Sequence, residues 1–152
     1  MGSLRLIPLT DEAGQIIEPE LLQSAAALHR QLRPMLPEEG VAYLVKMQRV
    51  CRYGARLVLA CNAQGQPLGL ALFRLYENTY EDLRLYVDDL VTDETARSQG
   101  VGSQLIAWCE AHARAAGCSY IVLDSGTWRT QAHKLYFRLG FVISSFHFTK
   151  SL

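Results

Sequence analysis

The period of the apolar residues changes twice between positions 84 and 123, and that double change restricts the fold more than any other feature of the sequence. Leu85 and Val87 alternate with Arg84 and Tyr86, which reads as a strand over Arg84–Val91. From Gly102 to Ala116 the apolar positions Leu105, Ile106, Cys109, Ala113 and Ala116 fall on one helical face, and Gly117 is placed to end the helix. Tyr120–Leu123 then follows as a short apolar strand. A strand, one helix and a second buried strand in succession make a crossover unit, so the two strands are predicted to run parallel. Within the first strand the alternation fails at Asp88 and Asp89. Adjacent carboxylates in an otherwise buried segment predict a bulge or a splayed strand end that turns polar groups toward a cleft.

The rest of the chain reads as a mixed, mostly antiparallel sheet flanked by helices. Leu4–Leu9 is a first strand, and Pro19 opens a helix carrying Leu21, Ala25, Leu28 and Leu32 to about Arg33. A second helix is predicted from about Pro37 to Tyr53, with Glu38 and Glu39 in its first turn. Arg56–Cys61 and Leu68–Tyr76 flank a turn-like Asn62–Pro67 segment, as two antiparallel strands would. After the crossover, Gln131–Leu139 is helical, and Phe141–Thr149 is predicted to supply one long or two short terminal strands. No linker, repeat or low-complexity tract interrupts this order, so residues 1–152 are expected to form a single α/β domain.

Charge and cysteine usage narrow the class further. Fifteen basic residues balance fifteen acidic ones, which argues against a nucleic-acid partner or an anionic membrane surface. The apolar runs are far too short to span a bilayer and the N-terminus carries no long apolar leader, so the expected compartment is the cytoplasm. Cys51, Cys61, Cys109 and Cys118 show no metal-ligand spacing and read as reduced, mostly buried thiols; no metal site is expected.

The segment with most chemical content is Val91–Gly102. It joins a strand to a helix and ends in Gly100-Val101-Gly102, where backbone N–H groups can crowd together without side chains in the way. The helix that follows adds unpaired amides and a positive dipole end, and Arg97 adds a charge at the mouth, so a pyrophosphate fits. Taken alone, the same glycines also suit a tight turn with no ligand. The lysine-bearing P-loop, Gly-x-x-x-x-Gly-Lys-Ser/Thr, is absent, and Leu105 stands where a dinucleotide fingerprint needs its third glycine.

Two motifs resemble those of the GNAT superfamily of N-acetyltransferases. Arg97-Ser98-Gln99-Gly100-Val101-Gly102 is similar to the family's Arg/Gln-x-x-Gly-x-Gly/Ala motif, and Ala132, Tyr136, Gly140 and Phe141 stand as in its Ala-x-x-x-Tyr-x-x-x-Gly-Phe signature. Their order and separation by one helix and one strand agree with the family, so the resemblance extends over essentially the whole chain.

The resemblance implies direct transfer of an acetyl group from acetyl-coenzyme A to a primary amine, with no covalent acyl-enzyme. It places the cosubstrate where the two parallel strands splay. Backbone groups at Val91 and Thr92 are then expected on the pantetheine arm, and Gln99, Gly100, Val101 and Gly102, with Arg97, on the pyrophosphate. Tyr136 is implied as the acid that returns a proton to the leaving thiolate, and Asp88 or Asp89 as the group that handles the amine proton. Arg129 stands where many members carry asparagine; it either meets a phosphate or caps a strand end. Tyr76, Glu77, Tyr80, Glu81 and Trp128 are candidates for the acceptor wall, where rings offer apolar surface and carboxylates favour a cation. A small-molecule amine is the leading acceptor. A protein lysine or N-terminus, and a noncatalytic acyl-coenzyme A sensor, are the alternatives. The apolar, β-branched segment Val142–Thr149 predicts an edge that a homodimer would cover.

Overall fold

In the computed structural model, residues 3–152 are described, and the chain divides into two compact units, Met1–Val122 and Leu123–Leu152. The first unit is built on a sheet in the order β1-β2-β3-β4-β5, with β1 Arg5–Pro8, β2 Ala55–Cys61, β3 Pro67–Asn78, β4 Asp82–Thr92 and β5 Tyr120–Leu123. The pairs from β1 to β4 are antiparallel, whereas β5 joins β4 in parallel after the crossover helix. The mixed sheet expected from the change of period is therefore present.

Helices α1 (Pro19–Ser24), α2 (Ala26–Leu32) and α3 (Gly40–Arg52) cover one face of the sheet, and α4 (Val101–Ala115) packs on β2, β3 and β4. Leu22, Leu28, Tyr43 and Met47 meet Leu57, Leu59, Leu70 and Leu72 in the larger core. The helix expected over 19–33 is broken at Ala25. The Ser24 hydroxyl bonds back to the Leu21 carbonyl at 2.7 Å and Ala25 N–H donates to Leu22 rather than to the carbonyl one residue earlier, which tightens and ends the turn. Glu39 does not sit inside the first turn of α3. It caps that helix, its carboxylate accepting from the amides of Val41 and Ala42 at 2.8 and 2.7 Å.

Gly69 explains how closely α4 approaches the sheet. A Cβ there would lie 2.6 Å from Val101 Cγ1 and 2.9 Å from Leu105 Cδ1, so the first turn of α4 is seated on a position that only glycine leaves open. This contact fixes the height of the β4–α4 loop above the strand.

The second unit contains α5 (Thr130–Arg138) and the residues after it. The terminal strands expected over Phe141–Thr149 are not formed: that segment joins no ladder. Its alternating pattern is a preference for a half-buried pleated surface, and a strand exists only when a partner supplies that surface.

Candidate active site

The irregularity expected at the paired carboxylates is a β-bulge. Leu72 pairs with Asp89 and Phe73 with Val87, so Asp88 is the extra residue of β4. The bulge is held by side chains that the sequence pattern did not single out. Arg74 Nε donates to Asp88 Oδ2 at 2.6 Å. Arg33, at the end of α2, donates to Asp89 Oδ1 and to the Asp88 carbonyl.

His29 completes this network from within the core. Its ring is 1% exposed, with Nε2 2.8 Å from Asp89 Oδ2 and Nδ1 2.9 Å from the Tyr43 hydroxyl. An ionised carboxylate only accepts, so Nε2–H donates to Asp89, and Nδ1 pairs with the Tyr43 hydroxyl. Burial pushes the Asp89 carboxyl up, but the hydrogen bonds and charges of His29 and Arg33 outweigh it and hold the group below the usual range. Tyr43 is pushed well above its ordinary value by burial and by the charge of Asp89, so it keeps its proton. Pattern alone does not set His29 apart, because it follows Leu28 of the apolar stripe and is itself followed by Arg30 and Gln31.

The same short helix anchors the other candidate element. Gln31 donates to Asp93 at 2.9 Å and accepts from the Glu94 amide at 3.0 Å, fastening the start of the β4–α4 loop. Asp93 also caps the loop's single helical turn through Thr95, which lowers its own pKa. Beyond it Arg97 is exposed and extended, Ser98 and Gly100 have positive φ of 63° and 83°, and Gln99 donates to the Thr95 carbonyl. Gly100 is the N-cap of α4 and supplies no side chain to its first amides, while a Cβ on Gly100 would meet nothing within 4 Å. A cleft of about 440 Å³ opens beside the loop, lined by Thr95, Gln99, Val101, Leu68 and the β2–β3 turn. Uncapped amides at a fifteen-residue helix, behind two left-handed residues and open space, suit the pyrophosphate of coenzyme A. Val91 is buried opposite Leu70, and Thr92 is half-buried opposite Gly69.

The aromatic candidates on β3 and the β3–β4 turn gather around a residue that sequence reasoning missed. Arg84 lies 4.8 Å from the Tyr76 ring, 5.3 Å from Tyr86 and 5.8 Å from Tyr80, and it donates to Glu81 at 2.7 Å and to the Tyr76 hydroxyl. Tyr76, Tyr80 and Glu81 are thus brought together, and the charge of Glu81 is neutralised by Arg84. Glu77 alternates to the other side of the strand from Tyr76 and is exposed.

In the second unit Tyr136 packs edge-on to Phe141 at 5.8 Å. Burial raises the Tyr136 pKa, against an opposing pull from Arg129. Arg129 is the N-cap of α5 and lies 6.0 Å from the Trp128 ring, which is 76% exposed and covers Gly126. His133 Nε2 is 2.9 Å from the Gly126 carbonyl, a contact that holds the loop.

The cysteines are all free, with Cys51, Cys61 and Cys109 buried. Burial pushes the Cys51 thiol up to about 11 and Cys109 to about 12, so neither is an activated nucleophile.

The Acetyltransferase (GNAT) family matches residues 24–141, a span that includes the bulge, the glycine loop and α5. The chain belongs to that family. It is 36% identical over 94 residues to the uncharacterized N-acetyltransferase YhdJ of Bacillus subtilis, covering 52% of this chain and 66% of that protein. It is 42% identical over 66 residues to the aminoalkylphosphonate N-acetyltransferase of Salmonella typhimurium, covering 43% of each. The chain thus spans about two thirds of the first relative and under half of the second. Among solved structures, aminoglycoside N-acetyltransferase AAC(6')-Iy in complex with CoA superposes with a TM-score of 0.80, at 17% identity, over 100% of this chain and 96% of that one. The fold is that of acetyl-coenzyme A-dependent acetyltransferases.

Proposed function

We propose that residues 1–152 act as one N-acetyltransferase domain that moves the acetyl group of acetyl-coenzyme A directly to the primary amine of a small molecule. The observation that carries this reading is the uncapped N-terminus of α4 behind Ser98 and Gly100, in a chain whose family uses acetyl-coenzyme A. The amides of Val101 and Gly102, with Gln99, Gly100 and Arg97, hold the pyrophosphate, and backbone groups at Val91 and Thr92 hold the pantetheine arm. Arg129 serves as a further phosphate contact. Acetyl-coenzyme A, when bound, would supply an activated thioester whose leaving group is the coenzyme A thiolate.

Tyr136 returns the proton to that thiolate. The hydroxyl carries its proton at neutral pH, as a general acid must, and burial holds that proton more tightly. Of the two strand carboxylates, Asp88 handles the amine proton, directly or through water. Asp89 is ionised, buried and fastened to His29 and Arg33, which suits an anchor better than a base. Tyr76 and Tyr80, held around Arg84 with Glu81, offer apolar surface to the acceptor; Glu77, on the opposite side of β3, and the exposed Trp128 of the second unit are proposed as further acceptor contacts in their own right. A small amine is favoured by the relative named for aminoalkylphosphonates. Zero formal charge argues against nucleic acid. No helix among the described residues is long and apolar enough to cross a membrane, and we place the enzyme in the cytoplasm as a homodimer.

Thiol release from acetyl-coenzyme A across a panel of small amines and lysine peptides, corrected for hydrolysis, tests the assignment. Acceleration by a small amine supports it. Release stimulated only by peptides transfers the assignment to a protein acceptor, and tight cofactor binding without stimulated release makes the protein a sensor.

A further inference from the structure

Two arginines close on the bulge from different elements, and each keeps a donor unused. Arg74, on β3, places Nε on the Asp88 carboxylate and one terminal nitrogen on the Tyr53 carbonyl at the end of α3. Arg33, just after α2, places Nε and one terminal nitrogen on Asp89, and that terminal nitrogen also reaches the Asp88 carbonyl at 3.2 Å. The remaining terminal nitrogen of each guanidinium has no partner among the described residues, and the Arg74 and Arg33 side chains are 28% and 46% exposed. The Asp88 side chain is 31% exposed, and only its Oδ2 is bonded.

The charges of this cluster cancel before any acceptor arrives. Asp88 and Asp89 supply two negative charges, and Arg74 and Arg33 supply two positive ones. A plain alkylammonium brought to Asp88 is therefore a third cation set beside two guanidinium groups, and like charges at that range repel. An acceptor that carries its own anion removes the penalty. Its anionic group takes the unused guanidinium donors in the charge-assisted geometry that arginine offers to carboxylate and phosphoryl oxygens, while its amine meets Asp88. Both guanidinium groups are already fixed by the bulge, so little side-chain freedom is lost when the anion binds.

We propose that the acceptor is a primary amine bearing a carboxylate or phosphonate on the same or the next carbon, and that Arg74 and Arg33 are the residues that select it. The proposal rests on the acetyltransferase reading above, which brings the amine to Asp88, and it names the class of acceptor. The spacing follows from the contacts. Both arginines touch Asp88 itself, one at the carboxylate and one at the carbonyl, so the anion lies within one or two carbons of the amine that Asp88 receives. The guanidinium groups have a second effect on that amine. They disfavour its ammonium form, so it gives up its proton more readily.

Two measurements decide it. The first is thiol release from acetyl-coenzyme A with glycine, β-alanine, aminomethylphosphonate and aminoethylphosphonate, set against glycinamide, β-alaninamide and putrescine. Wild type is expected to favour an acid over its uncharged counterpart. Arg74→Gln and Arg33→Gln are each expected to reduce that ratio of kcat/KM by at least about tenfold, chiefly through KM, as the loss of one charge-assisted contact would. Comparing ratios cancels both the intrinsic reactivity of each amine and any loss of folded protein. Preference for the carboxylate series or for the phosphonate series identifies the anion, and either supports the proposal. A ratio that neither variant changes, or a wild type that turns over amides and diamines as well as acids, overturns the acidic acceptor and leaves acetyl transfer to small amines standing. Release stimulated by no small amine at all overturns the proposal together with the reading it rests on. The second measurement needs no turnover. In the presence of coenzyme A, the N-acetylated product of the best acid should bind Arg74→Gln at least about tenfold more weakly than wild type by titration calorimetry; equal binding overturns the role of Arg74.

Discussion

The β4 bulge and the β4–α4 loop lie on one stretch of chain, within fifteen residues of each other, yet they treat their polar groups in opposite ways. At the bulge the carboxylates of Asp88 and Asp89 are engaged by Arg74, Arg33 and His29, from a neighbouring strand and from α2. At the loop the start is tied down by Gln31 and Asp93, but the amides at the end are left without side-chain caps. The first region satisfies its own carboxylates; the second is satisfied only by something that arrives. Polar groups saturated from inside confer rigidity, whereas polar groups held in place and left open bind ligands.

The largest effect that would break this contrast is on stability at the bulge. His29→Ala leaves a buried carboxylate with one donor fewer and Tyr43 without its partner, and is expected to cost about 3 kcal/mol in urea unfolding. A loss within 0.5 kcal/mol would make the network ornamental. The proposed acid, Tyr136 on α5, belongs to neither region. Tyr136→Phe is then expected to lower the turnover rate by about 10²-fold while acetyl-coenzyme A affinity and the unfolding midpoint stay near wild type. An unchanged chemical step with a verified acceptor would make Tyr136 a packing residue.

At the loop, the affinity should fall further than the stability. Gly100→Val places a branched side chain where the phosphates approach and strains a left-handed residue by about 1–2 kcal/mol. Titration calorimetry on the folded variant should show at least about tenfold weaker acetyl-coenzyme A binding; equal affinity would remove the pyrophosphate from this loop. Asp88→Asn should lower activity several-fold, most at low pH where few acceptor amines are neutral, and recover as pH rises. A wild-type pH profile would assign the amine proton to water or another group.

The smallest effect is an acid limb at Asp89. Its folded pKa lies below its ordinary value of 3.8, so the unfolded chain takes up that proton first as pH falls. The stabilisation from the His29 and Arg33 contacts is complete above the unfolded value and is lost as pH drops through the folded one. The stability gap between wild type and Asp89→Asn should therefore narrow below about pH 4 and stay constant above it. A gap that instead narrows near neutrality would remove Asp89 as the group behind the acid limb.

Local pattern was enough for the elements whose signal is carried within a few residues. The crossover around α4, the bulge at Asp88-Asp89 and the glycine loop were all legible, because periodicity, paired charges and positive-φ glycines act over one or two turns of chain. What pattern could not supply was partnership. Nothing local distinguishes Arg33 and Arg74 from solvated arginines, or joins His29 to a carboxylate sixty residues away; only the packing of α2 against β4 does so. Nothing local to Gly69 shows why a strand residue should lack a side chain; the seating of α4 on β3 supplies the reason. The terminal segment is the clearest case of the division. Its residues prefer a strand, but strand pairing is a long-range bond between backbones, so the sequence determined the preference and the tertiary structure left it unpaired within one chain.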